Sequence, residues 1–180
     1  MSVSGLASWF EYVAFRILRL FRRLGLSRLI QVGQTRRFTD YFTGFEKVEA
    51  VKGIFGDETE KVLGNLKVKF IGLGGYMGVD NTDGSLFVNA SYLKNGDKTD
   101  IYLDVIHELV HVRQFREGKE LFDGRYDYVE RPTEIEAYCY TVQEARRLGL
   151  TDERIMEYLK TEWMSPDDLK RLAKAVDVSC

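Results

Sequence analysis

The chain has 180 residues, 44% of them hydrophobic, with 26 basic and 28 acidic side chains and a formal charge of −2. That is enough for one compact domain with a real core and requires no second one, and the near balance of charge offers no global field to draw nucleic acid. Two cysteines, Cys139 and Cys180, cannot build a disulfide framework and form no C-x-x-C pair, which fits a reducing, cytoplasmic setting.

Trp9 to Ile30 mixes aromatic and aliphatic residues with arginines, against a single acid, Glu11. At helical spacing Phe10, Val13, Ile17, Phe21 and Leu24 share one side and Arg16, Arg19 and Arg23 another, which predicts a basic amphipathic helix. No apolar run approaches the ~20 residues of a membrane span, and a secretory leader would carry its charge ahead of a clean apolar core. Such a helix can pack on the domain or lie on anionic lipid, so residues 9–30 are the candidate for peripheral membrane contact. Residues 1–32 are read as this helix and a linker, and 33–180 as the domain proper.

Gly33 to Phe42 reads as a continuation of the linker. Phe45, Val48, Val51 and Ile54 have helical spacing, and Asp57 to Leu63 suggests a second short helix. Leu66 to Ile71 alternates apolar and charged residues, the pattern of a half-buried strand. Gly72, Gly74, Gly75 and Gly78 follow in a bend that lacks the Lys-Ser/Thr ending of a phosphate loop. Asn81 to Gly84 predicts a hairpin turn leading into a strand over Ser85 to Leu93. That strand is either an ordinary member of a sheet or an edge to which an extended peptide could pair.

Both histidines of the chain fall in His107-Glu108-Leu109-Val110-His111, an H-E-x-x-H pattern inside a predicted helix from Ile101 to Phe115. Residues four apart share a helix face, so the two imidazoles can hold one zinc ion, and Glu108 can take a proton from a water at the same place. Ile101, Val105, Leu109 and Val112 form an apolar face, and Asp100 or Thr99 is positioned to cap the N-terminus.

A catalytic zinc usually has three protein ligands. With no third histidine, the remaining ligand must be a carboxylate or, less plausibly, Cys139. Pro132 begins a predicted helix that ends near Leu148, with Gly149 as its stop. Glu134 and Glu136 on it point to different sides. Glu134 shares the side of Ala137, Tyr138 and Thr141, where small Ala137 allows close helix approach, whereas Glu136 lines up with Gln143 and Arg147. Glu134 is the preferred ligand. Farther on, Thr151 caps a helix over Asp152 to Lys160, and Ser165-Pro166 starts one reaching Val176. The tail ends in Cys180, whose thiol would be a zinc ligand if the tail folded over the cleft.

The H-E-x-x-H helix followed by a glutamate helix resembles the gluzincin group of zinc metallopeptidases. Glu134-Ile135-Glu136-Ala137-Tyr138 is similar to the E-x-x-A-D element of its membrane-associated and small single-domain members. The resemblance covers residues 85–148. It implies an α+β, mostly helical zincin-like domain with a small antiparallel sheet packed against the H-E-x-x-H helix. It further implies His107, His111 and Glu134 as zinc ligands and Phe87 to Tyr92 as the substrate-binding edge strand, with Asn89 and Ala90 as main-chain contacts. The family's aspartate, which steadies a zinc-bound histidine, is replaced by Tyr138, with Asp104 as a substitute one turn before His107.

The expected activity is hydrolysis of peptide bonds in proteins or peptides, with Glu108 as general base on a water at zinc. An oxyanion donor must come from Tyr126, Tyr128 or Arg131, and Tyr128 is the choice. The alternatives are a latent or inactive zinc-binding regulatory protein of the same fold, and a hydrolase of non-peptide amides.

Overall fold

A computed structural model describes residues 25–26, 32–72 and 74–179. The predicted helix over residues 9–30 lies outside these, apart from two residues. Gly25–Leu26 form a short strand, β1, antiparallel to Phe42–Thr43, β3, and so are not helical.

The segment expected to be a linker belongs to the core instead. It contains β2 (Thr35–Arg37) and the single turn α1 (Phe38–Tyr41). Phe38, Tyr41 and Phe42 are buried, and the rings of Phe38 and Phe42 stack with centroids 4.9 Å apart. Three aromatic rings in five residues carry too much apolar surface to remain in water. A 3-10 turn (Phe45–Lys47) and α2 (Glu49–Phe55) follow, then a second 3-10 turn (Gly56–Glu58) and α3 (Thr59–Asn65).

Strands β4 (Lys67–Ile71), β5 (Met77–Val79) and β6 (Leu86–Asn89) join β2 in a four-stranded sheet of order β2-β4-β6-β5. The turn at Asn81 to Gly84 closes the β5–β6 hairpin as the sequence predicts. The sheet is mixed rather than antiparallel throughout, because β6 returns between β4 and β5 and runs parallel to β4. Gly78 faces Phe87 across the hairpin, and the Phe87 ring occupies the space a side chain at Gly78 would need.

The strand predicted to reach Leu93 stops at Asn89. The Asn89 side-chain oxygen accepts hydrogen bonds from the backbone N–H groups of Ser91 at 2.8 Å and Tyr92 at 3.2 Å, starting α4 (Ala90–Asn95). The central helix α5 runs from Lys98 to Arg116. Its cap is Asp97, not Thr99 or Asp100: Asp97 accepts from the N–H groups of both. Tyr102, Leu103, Ile106 and Val110 are buried along with the predicted apolar face, so α5 passes through the core rather than lying on it.

Helix α6 (Pro132–Leu148) packs along α5 after a 3-10 turn (Tyr128–Glu130), with Gly149 left-handed (φ 88°) as its stop. Thr151 caps α7 (Asp152–Leu159), and Ser165 and Asp168 form a reciprocal capping box on α8 (Pro166–Ala175). Among the described residues no helix is long and apolar enough to cross a membrane.

Candidate metal centre

Two neighbouring helices assemble the centre. His107, Glu108 and His111 lie on α5, and Glu134 lies in the first turn of α6, all four buried. Ala137, one turn beyond Glu134, is fully buried and presents no bulk to hold the helices apart. The Nε2 atoms of His107 and His111 are 3.0 Å apart, and Glu134 Oε2 lies 3.3 Å from the first and 3.4 Å from the second. Four bonds of ~2.05 Å arranged tetrahedrally about zinc hold their donor atoms about 3.3 Å apart. The three pairwise distances match that spacing, so these donors fit a first-row divalent cation. Among the described residues this is the one group of three histidine, cysteine or carboxylate side chains with converging ligand atoms.

Glu136 takes no part in this. It accepts hydrogen bonds from Arg113 at 2.6 Å, Gln114 at 2.7 Å and Lys119 at 3.0 Å, on the other side of α6. Cys139 stands outside the converging group as well.

The electrostatics are those of charged groups taken out of water. Burial pushes Glu108 up to about 8. Burial also opposes the ionised form of Glu134, but hydrogen bonding and attraction from the two imidazoles outweigh it and hold that carboxyl far below its usual range. His107 is pushed down by burial. For His111 burial acts in the same direction, yet its contacts with Glu134 and Glu108 raise it to about 9. Two adjacent imidazoles cannot both carry charge cheaply, so at most one proton is shared in this buried group beside ionised Glu134, and both rings must be neutral for their Nε2 atoms to hold a metal.

Neither residue expected to steady a histidine does so by a hydrogen bond. The Tyr138 hydroxyl pairs with that of Tyr128 at 3.0 Å, while its ring packs on His107 with centroids 4.4 Å apart. Asp104 accepts from the hydroxyls of Tyr92 at 2.5 Å and Tyr158 at 2.9 Å. His107 Nδ1 has no hydrogen-bond partner among the described residues. The orienting residue that sequence reasoning missed is Gln114, completely buried, with Oε1 2.7 Å from His111 Nδ1. Its position three residues after His111 puts it on a nearby face of α5, which was the available signal.

A cleft of about 430 Å³ opens on the centre. Its lining includes Met77 and Gly78 of β5, Glu108 and Tyr128. Tyr128 thus lines the cleft with its hydroxyl paired to that of Tyr138, whereas Tyr126 is exposed. Arg131 Nη1 lies 3.6 Å from Glu134 Oε1. Asn89 and Ala90 are not edge contacts: β6 is flanked on both sides by strands, Asn89 is spent on a helix cap, and Ala90 is helical. The strand at the sheet edge beside the cleft is β5.

The tail is anchored elsewhere. Ser179 N–H donates to Asp152 near the C-terminal end of α6, where Arg146 contacts the same aspartate. Twelve residues of helix, about 18 Å, separate that end from Glu134. Cys180 lies outside the described residues. The chain matches no family profile, no curated protein and no solved structure.

Proposed function

We propose that the protein is a zinc-dependent peptidase of zincin-like architecture. The observation that carries this reading is the convergence of His107, His111 and Glu134 beside buried Glu108, at a cleft bordered by an edge strand. Two imidazoles and a carboxylate suit zinc rather than magnesium or calcium, which take oxygen ligands.

Zinc bound there supplies a Lewis acid for the scissile carbonyl and lowers the pKa of a water. The chain's own groups do the rest. Buried Glu108, whose ionised form a divalent cation held by His107, His111 and Glu134 would favour, accepts the proton of the attacking water and passes it to the leaving amine. Its low-dielectric surroundings strengthen that interaction, and Tyr128 offers a hydroxyl to the developing oxyanion. The outer edge of β5 pairs with no strand among the described residues, so an extended substrate can add there through main-chain hydrogen bonds. Selection of side chains then falls to the cleft walls.

Metal analysis of the purified chain, followed by cleavage of a peptide library with and without chelator, tests this. The expected result is about one zinc per chain, with Glu108→Gln keeping the metal and cleaving roughly 10²- to 10⁴-fold more slowly. Cleavage by Glu108→Gln at the parental rate, or a purified chain that takes up no zinc, would overturn the proposal.

A further inference from the structure

One stretch of the cleft wall, called its arm below, takes no part in the proposed chemistry. Asp104 lines it, with Tyr76, Tyr92, Glu157, Tyr158 and Trp163. On the helical wheel of α5, Asp104 falls about 40° from Glu108 and about 20° from His111, so one face of the helix carries all three into the cleft. Asp104 as a residue is half-buried, and each of its carboxylate oxygens accepts a single phenolic hydrogen bond, from Tyr158 and from Tyr92.

What Asp104 lacks is a cation. No basic side chain forms an ion pair with it among the described residues, whereas Asp100, one turn earlier, is paired with Arg154. Glu157 adds a second acid, exposed, while Lys160 is the one lysine in the lining. Aromatic rings that line the same cleft contact one another. Tyr76 lies 4.7 Å from Tyr92 and 6.5 Å from Trp163, centroid to centroid, and Trp163 is 60% exposed.

We infer that this arm recognises a cationic side chain of the substrate, arginine above all. The inference rests on the peptidase reading. A second metal ion is the wrong occupant, since these carboxylates do not converge as the His107–His111–Glu134 group does. A neutral apolar side chain would strip water from the carboxylate and return nothing. Guanidinium offers two parallel N–H donors to the remaining lone pairs and a flat face to the tyrosine and tryptophan rings. Asp104 and Glu108 are separated by about 6 Å along the helix. An extended chain advances ~3.3 Å per residue, so the recognised arginine lies within about two residues of the cleaved bond.

The test uses the zinc-loaded full chain and peptide pairs that differ only in arginine or its neutral isostere citrulline, placed within two residues of a cleaved bond. The arginine member should show kcat/KM higher by on the order of 10- to 100-fold. Asp104→Asn should bring that ratio close to one, and Glu157→Gln should lower it in part. Calorimetric binding of the same pairs to zinc-loaded Glu108→Gln reads the preference without turnover. Preferential binding of arginine with no cleavage by the parental chain would retire the peptidase reading and keep the arm. Cleavage with a ratio near one, or a ratio that survives Asp104→Asn, would overturn the arm alone, as would failure of either peptide to bind. Should Asp104→Asn not fold, the arginine–citrulline ratio of the parental chain and its reduction in Glu157→Gln decide the matter.

Discussion

The Nδ1–H of His111 donates to Gln114 Oε1 across 2.7 Å, and this contact selects which histidine nitrogen can bind a metal. The orientation of the amide follows from its other end. Gln114 Nε2 donates to the Thr133 carbonyl at 2.9 Å and to the Glu136 carboxylate at 2.7 Å, both acceptors only. Oε1 is therefore left to accept, His111 Nδ1 must carry a hydrogen, and the Nε2 lone pair of the neutral ring is directed toward Glu134. The same amide ties α5 to the first turn of α6, which carries Glu134.

Gln114→Leu should accordingly lower zinc affinity by about 10- to 100-fold while the chain remains folded. Competition against a chelating indicator measures this. Unchanged affinity would show that packing alone orients His111.

The two glutamates of α6 should separate cleanly. Glu134→Ala is expected to lose the bound metal, whereas Glu136→Ala should retain it and lose about 1 kcal/mol of stability with its partly exposed contacts to Arg113 and Lys119. Metal stoichiometry by elemental analysis, beside thermal unfolding, distinguishes them.

Under the proposed chemistry, Tyr128→Phe would remove the hydroxyl offered to the oxyanion while leaving His107, His111 and Glu134 unchanged. A fall in kcat of roughly 10²-fold with unchanged metal content is expected. A change confined to KM would instead assign Tyr128 to substrate binding.

Asp104 gives the folded protein a defined pH dependence. Burial pushes its carboxyl up to about 6, against two hydrogen bonds that favour ionisation. A raised pKa means that the folded state holds the proton more tightly, so Asp104's contribution is fully present below about pH 4 and is lost as pH rises through about 6. For this partly exposed group the loss is on the order of 2 kcal/mol. Asp104→Asn should therefore gain stability relative to the parental chain between pH 4 and pH 7, measured by denaturant unfolding of chelator-treated protein. A difference that stays flat across that range would contradict the assignment.

Asp97→Ala should cost about 1 kcal/mol through loss of the α5 cap. For a domain of this size that is roughly 2–4 °C in Tm. Thr99→Ala should cost less, since its backbone N–H, and not its side chain, takes part in the cap.

Much of this was legible along the chain because the interactions concerned are local. The bounds of α6, from Pro132 to Gly149, follow from proline's missing N–H and glycine's freedom at positive φ. The caps at Thr151 and Ser165 are contacts made within one turn. His107, Glu108 and His111 announce themselves because residues three and four apart share a helix face. Periodicity on α6 likewise separated Glu134 from Glu136.

Other features depend on partners distant in sequence. Phe38 and Phe42 read as linker because the sheet and helices that bury them come later in the chain. The parallel return of β6 against β4, which moves the edge from Asn89 and Ala90 to β5, is a matter of topology, and strand periodicity says nothing of neighbours. Asp104, which could have steadied His107, is claimed by Tyr92 and Tyr158, 12 residues before it and 54 after it. By itself the sequence determined the donor types and the helix that presents them. Only the tertiary structure decided which atoms meet, because a hydrogen bond or a metal site requires convergence to a few tenths of an ångström, and that is set by how α5, α6 and the sheet pack together.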